Sequence, residues 1–353
     1  MILMSTNTQI KGDETERIAG LYLWNRNYLV LTNIIVSTNK LTGTGNYTFT
    51  DVTDIDTLGI KFDSLENEHS YYIDCKSRNQ SLFKQLIWSF GVKNLLNFSD
   101  LLVIRDSVPE IAQNFSNEYQ IRILNKSFLI KNTKEVQHGL FSSKNYHKRN
   151  EIIKNLDKQD IKIRKFFFGT FLKLDPFGKL KSLIRLNKEN RPKSNLVMFE
   201  IFELTLLSIF KLASSVSHLY YTDHLKSYLM EGLIGDYEFK KKVDNIINTL
   251  ISHQYDETNI NRFLPSYFDK LVSIIINIIK EPMIVQDLLR YNNFCFYEFG
   301  MNGIFKVDFK LLDKLNIPYK KLEFSKINSA IINILIVNDK PLSFLEPIAK
   351  LLT

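Results

Sequence analysis

Cysteine is scarce in this chain: Cys75 and Cys295 are the only two in 353 residues. That excludes a disulfide framework and a cysteine-built zinc site, and it suits a reducing compartment. The six histidines, at 69, 138, 147, 218, 224 and 253, lack metal-ligand spacing. His218 and His224 flank Asp223 with no nucleophile nearby, so they read as surface residues at a helix end. No Gly-x-x-x-x-Gly-Lys loop is present, so any motor activity would belong to another protein. Internal repeats and low-complexity tracts are also missing. The opening Met-Ile-Leu-Met-Ser-Thr-Asn has neither a basic nor a sufficiently apolar region, so no secretion signal is expected there and the reading is cytoplasmic. The long apolar stretch 194–215 is interrupted by Glu200, Glu203 and Lys211. A charge at mid-bilayer costs at least about 2.5 kcal/mol, which makes this a buried helix and leaves no expected contact with a membrane.

What is present is ample core material, 44% apolar and 12% aromatic residues, in a chain long enough for two domains. Net charge is +8, and its distribution says more than its sum. Residues 1–125 hold 11 basic and 14 acidic residues, and 194–353 hold 17 and 18. The middle segment, 126–193, holds 18 and 6, an excess of 12. Lys148, Arg149, Lys162, Arg164 and Lys165 lie in it and are the candidate nucleic-acid contacts. The same composition also describes a solvated linker in a lysine-rich protein, with Phe166, Phe167 and Phe168 as core rather than base-stacking residues.

The most informative stretch is Tyr-Tyr-Ile-Asp-Cys-Lys-Ser at 71–77, which reads as a strand carrying an acid and a base. Side chains two apart share a face, so Asp74 and Lys76 project together while Ile73 and Cys75 face the other way. Upstream, Asp51 to Phe62 forms a second strand, and 63–70 a polar connection. A hairpin centred near Leu65 sets Asp56 opposite Asp74, with Cβ atoms about 5 Å apart, close enough to share one divalent cation. The other acid-x-Lys tripeptides, Asp160 to Lys162, Glu238 to Lys240 and Asp308 to Lys310, have no matching upstream acid and read as solvated charges.

Taken in order, Glu16 in Glu-Arg-Ile-Ala-Gly-Leu-Tyr-Leu-Trp, Asp56 in Asp-Ile-Asp-Thr-Leu-Gly and Asp74-Cys75-Lys76 resemble the PD-(D/E)xK nuclease superfamily, in its restriction-endonuclease-like and Holliday-junction-resolvase-like branch. The resemblance covers about residues 13 to 126. Thr53 stands where some members have a proline, and Asp74 replaces the commoner glutamate. The resemblance implies an α/β fold with a restriction-endonuclease-like mixed sheet, and metal-dependent hydrolysis of DNA, with RNA left open. Asp56 and Asp74 are then the ligands of Mg²⁺ or Mn²⁺, with Lys76 and Glu16 as further catalytic residues. Gln85 either orients a phosphate or is a plain surface glutamine, the latter preferred. By analogy, the setting is restriction or anti-phage defence, as a homo-oligomer or with a partner subunit such as an ATPase. The alternative is a nucleic-acid- or protein-binding subunit with an inactive core.

Periodicity predicts a helix over 13–25 capped by Asp13, with Glu14 and Glu16 in its first turn. Strands follow at 28–37, from 47, and at 71–77. A helix at 81–96, a strand at 101–105, a helix at 109–115 and a last strand at 120–124 complete a 1–126 nuclease-like domain. After the 127–193 connecting segment, 194–353 is expected to be a helical regulatory or partner-binding domain. Its helices are expected at 194–215, 237–252, 261–280, 283–291 and 326–335, with a small strand around 300–309.

Overall fold

Chain order and sheet order coincide in the first third of the protein. Helix α1 (Leu3–Trp24) leads into β1 (Leu29–Leu41), β2 (Tyr47–Phe62) and β3 (Glu68–Asp74). Then come α2 (Leu82–Leu95), β4 (Asp100–Arg105), α3 (Glu110–Glu118) and β5 (Arg122–Asn125). The five strands lie side by side in the order β1-β2-β3-β4-β5. β1, β2 and β3 are antiparallel neighbours, whereas β3, β4 and β5 run parallel. Parallel neighbours need a crossover, and α2 and α3 supply it. The computed structural model from which this is drawn describes residues 3–41, 47–65, 67–75, 81–171, 175–180, 192–220, 225–226, 228–229, 232, 267–304, 306–335 and 346–352.

The element order is the one periodicity predicts, and so is the hairpin register. Pairs run from Thr57↔Ile73 to Phe62↔Glu68, a ladder centred on Leu65 that sets Asp56 opposite Asp74 at the next rung. Helix α1 differs from its prediction. It starts ten residues before Asp13, so Asp13, Glu14 and Glu16 are mid-helix residues, and Asp13 caps nothing. Asn27, at φ 66°, turns the chain out of α1, where the Tyr28 N–H donates to Leu23 O at 3.2 Å. α1 lies so close to the sheet at Gly59 that a Cβ there would stand 2.8 Å from Leu23.

The basic segment is folded structure. α4 (Lys126–Lys131), α5 (Ser143–Lys154) and α6 (Lys158–Phe171) occupy it, and Phe167 and Phe168 are core residues. Asp160 is buried and accepts the backbone N–H groups of Lys193 and Ser194, each at 2.9 Å, so the solvated reading of that acid is corrected.

Helix α7 (Asn195–Val216) is buried on nearly every side, including Glu200 and Glu203. An all-round apolar surface makes a helix central to a core. Around it stand α8 (Phe268–Lys280), α9 (Met283–Glu298), α10 (Phe309–Lys314), α11 (Lys321–Leu335) and α12 (Glu346–Leu352). Phe199 stacks on Phe296 with ring centroids 4.0 Å apart. These helices also grip the sheet. Phe210 packs on Phe62 at 4.1 Å, Lys211 pairs with Glu68 at 2.8 Å, and Gln286 donates to Asn27 O at 2.7 Å. Among the described residues, one cluster of buried apolar side chains includes members from Ile18 to Leu352, on both sides of the boundaries expected at 126 and 193. The expected strand at 300–309 is replaced by a 3-10 turn, Gly300–Asn302, and by Asp308 capping α10 through the Lys310 N–H at 3.0 Å. The helix expected at 237–252 lies outside the described residues, as does Glu238 to Lys240. No described helix is long and apolar enough to cross a membrane.

Candidate carboxylate site

Asp56 and Asp74 meet at the open end of the β2–β3 hairpin, both buried. Each is held by a donor from its surroundings. The Cys75 N–H donates to Asp56 Oδ2 at 2.7 Å. The Ser89 hydroxyl, on α2, donates to Asp74 Oδ2. Burial first, and then the charges of Asp74 and Glu16, push the Asp56 carboxyl well above the usual carboxylate range. Glu16 is raised to about 7, chiefly by burial and by Asp13, with Arg149 and Tyr146 opposing the rise. Thus α1, β2 and β3 bring three acids within reach of one another's fields. Cys75 is buried packing, its thiol pushed upward by burial and by the same acids.

Opposite Asp56, β1 is irregular. Thr32↔Thr57 and Ile34↔Ile55 pair regularly, whereas Asn33 between them has φ 57°. Asparagine tolerates this left-handed conformation better than most residues. Its amide donates to Asn150 Oδ1 on α5 at 3.4 Å. Both residues line a 490 Å³ cavity together with Asp13, Asp54, Lys154 and Arg164. Two of its lining acids neighbour the site along the chain: Asp13 is one helical turn before Glu16, and Asp54 shares a strand face with Asp56.

Among the described residues, no group of three or more His, Cys, Asp and Glu side chains is placed to hold a metal ion. The expected ligands Asp56 and Asp74 form a pair of carboxylates only. Two buried carboxylates facing each other, with Glu16 raising the local negative field, suit a hard divalent cation that takes oxygen ligands. Lys76 lies outside the described residues.

Gln85 is fully buried one helical turn before Ser89, and neither of its amide atoms has a partner among the described residues. Its reading as a surface glutamine is corrected. Ser89 shares that buried face at i, i+4 spacing, which is the signal of its position that the sequence carries. Two of the expected nucleic-acid contacts are also corrected. Arg164 makes a bidentate pair with Glu200 at 2.7 and 3.0 Å, and Arg149 is buried with Nη2 on Thr32 O at 2.9 Å and 3.6 Å from Glu200. Turning Arg164 to a phosphate would strip the buried Glu200 of its bidentate partner, and turning Arg149 out would break its bond to Thr32 O. Lys165 pairs with Asp51 at 2.6 Å, and Lys148 donates to Asn302 Oδ1 at 2.9 Å. Lys162 is exposed. Comparison with family models, curated proteins and solved structures finds no match for this chain.

Proposed function

We propose that this protein is a metal-dependent nuclease that hydrolyses phosphodiester bonds of DNA on a restriction-endonuclease-like core. The observation that carries this reading is the facing pair Asp56 and Asp74, buried at the end of a hairpin and anchored by the Cys75 N–H and the Ser89 hydroxyl. The order helix, antiparallel three-stranded meander, helix, parallel strand supports the same reading, because it brings the helix acid, the hairpin acid and the acid of the acid-x-Lys strand to one place.

Asp56 and Asp74 would hold Mg²⁺ or Mn²⁺, and that cation, when bound, supplies Lewis-acid polarisation of a phosphate oxygen and acidification of water. The chain's own groups do the rest. Cys75 N–H and Ser89 keep the two carboxylates oriented, so little reorganisation is needed when substrate arrives. Glu16, titrating near neutrality, can hold or release a proton at its carboxylate around pH 7. Lys76, by the resemblance, would position the attacking water or stabilise the negative charge developing on the phosphoryl group. Restriction or phage defence is the setting suggested by the resemblance alone.

Purified protein with Mg²⁺ or Mn²⁺ is expected to cleave DNA, and Asp74→Ala to abolish cleavage while circular dichroism and the unfolding midpoint show a folded chain. Unchanged cleavage by Asp74→Ala would remove this site assignment.

A further inference from the structure

Of the nine buried side-chain polar atoms without a hydrogen-bond partner among the described residues, seven belong to the neighbourhood of the acids. They are Glu16 Oε2, Thr32 Oγ1, Thr57 Oγ1, Tyr146 Oη, Arg149 Nε and the two amide atoms of Gln85. Buried polar groups in native proteins are paired in the great majority of cases, so such a concentration calls for a physical reason. Tyr146 and Arg149 are three apart on α5 and therefore share a face of that helix. Both are buried; the Arg149 charge acts on Glu16, and the Tyr146 hydroxyl lies close enough to Glu16 and to Thr32 to act on them by hydrogen bonding, although its geometry in this structure falls short of a formed bond. The remaining nitrogens of Arg149 are committed: Nη2 to Thr32 O at 2.9 Å and Nη1 to Asn150 Oδ1 at 3.4 Å, with Glu200 3.6 Å away. Tyr297, on α9, stands against the same guanidinium. That leaves the Arg149 Nε–H and the Tyr146 O–H as donors without a formed bond among the described residues, and Glu16 Oε2 as a carboxyl oxygen in the same position.

We propose that Tyr146 and Arg149 are positioning residues of the carboxylate site, holding Glu16 Oε2 directly or through one ordered water, with Glu200 on α7 keeping the guanidinium in place. The inference rests on the nuclease reading for its functional meaning. It makes the site incomplete without α5 and α7, both of which lie beyond the part of the chain that carries the superfamily resemblance. It also gives Arg149 an internal role where a nucleic-acid contact was expected. A donor beside a buried carboxylate favours its charged form, in line with the opposing influence of both residues on Glu16.

A double-mutant cycle on the full chain tests this, using Tyr146→Phe, which removes only a hydroxyl, and Glu16→Gln. Single-turnover cleavage is expected to fall about 10- to 100-fold in Tyr146→Phe, as for a misplaced catalytic group, with the dissociation constant for a DNA oligonucleotide within twofold of wild type. In the Glu16→Gln background the same change is expected to have no further effect on rate. Urea unfolding midpoints of the four proteins form a second cycle, expected to be non-additive because the two groups interact. Additive effects in the urea cycle, or a Tyr146→Phe protein indistinguishable from wild type in both, would overturn the proposal. If the wild-type chain cleaves no nucleic acid, the nuclease reading fails, and the urea cycle still decides whether Tyr146 positions Glu16.

Discussion

At the scale of single residues, the acids carry a proton ledger with a definite sign. Glu16 is raised from 4.5 to about 7, and Glu203, buried on α7 beside Asn293, from 4.5 to about 8. In each case the folded chain binds the proton more tightly than the unfolded chain. Their stabilising contribution is therefore complete below pH 4.5 and is lost as pH rises through about 7 for Glu16 and about 8 for Glu203. The melting temperature is expected to fall between pH 5 and 8, and Glu203→Gln to flatten the upper part of that fall. Calorimetric scans at several pH values check this. Saturating Mg²⁺ is expected to restore stability lost through the Asp56 and Glu16 cluster and to leave the Glu203 contribution alone. Binding of the cation must then release protons, which calorimetry in two buffers of different ionisation enthalpy measures directly. No proton release would remove Asp56 as a ligand.

Two elements of the basic segment, α5 and α6, are tied to α7 by one carboxylate. Glu200 faces Arg164 and Arg149 together, all three buried. Removing the acid strands two guanidinium groups, so Glu200→Gln is expected to cost about 3–5 kcal/mol in urea unfolding. By the same argument, Arg164→Glu should destabilise the fold rather than weaken a nucleic-acid contact. Lys162→Glu is the informative change on this helix, because Lys162 is exposed. If it touches a phosphate, the slope of log affinity against log salt on duplex DNA flattens by about 0.9, with the unfolding midpoint unchanged. An unaltered slope would assign the α6 surface to something other than DNA. Charge counting located a basic segment correctly, but only packing distinguishes the cations it holds inside from those it presents.

For the molecule as a whole, the sheet depends on the helical part. Phe62, at the end of β2, is covered by Phe210, and its N–H donates to Gln286 Oε1 at 3.4 Å. A fragment ending at residue 193 would expose Phe62 and lose Glu200, leaving Arg149 and Arg164 buried without their counter-charge. It is expected to lose cooperative unfolding as well as cleavage, as judged by circular dichroism melts. A fragment that melts cooperatively and binds Mn²⁺ would show that the first 193 residues fold on their own, as the expected domain division has it.

What the amino-acid sequence determined by itself was local. The alternation in β2 and β3 and the polar turn centred on Leu65 specify the register, because a one-residue slip would turn every side chain to the wrong face. That register brings Asp56 and Asp74 together, and the crossover helices follow from the same patterning. The start of α1 was not legible: residues 5–12 are mostly polar and include Gly12, and Asp13 offers a cap signal that the continuing helix overrides. Nor were the environments of Gln85, Arg149, Arg164 and Glu200. Whether a polar side chain ends in water or in a core depends on which distant element covers it. Tyr146 comes near Glu16, and Glu200 comes within 3.6 Å of Arg149, across separations at which no periodicity connects them. Only the tertiary packing of α5 and α7 against the sheet decided that these residues stand behind the acids.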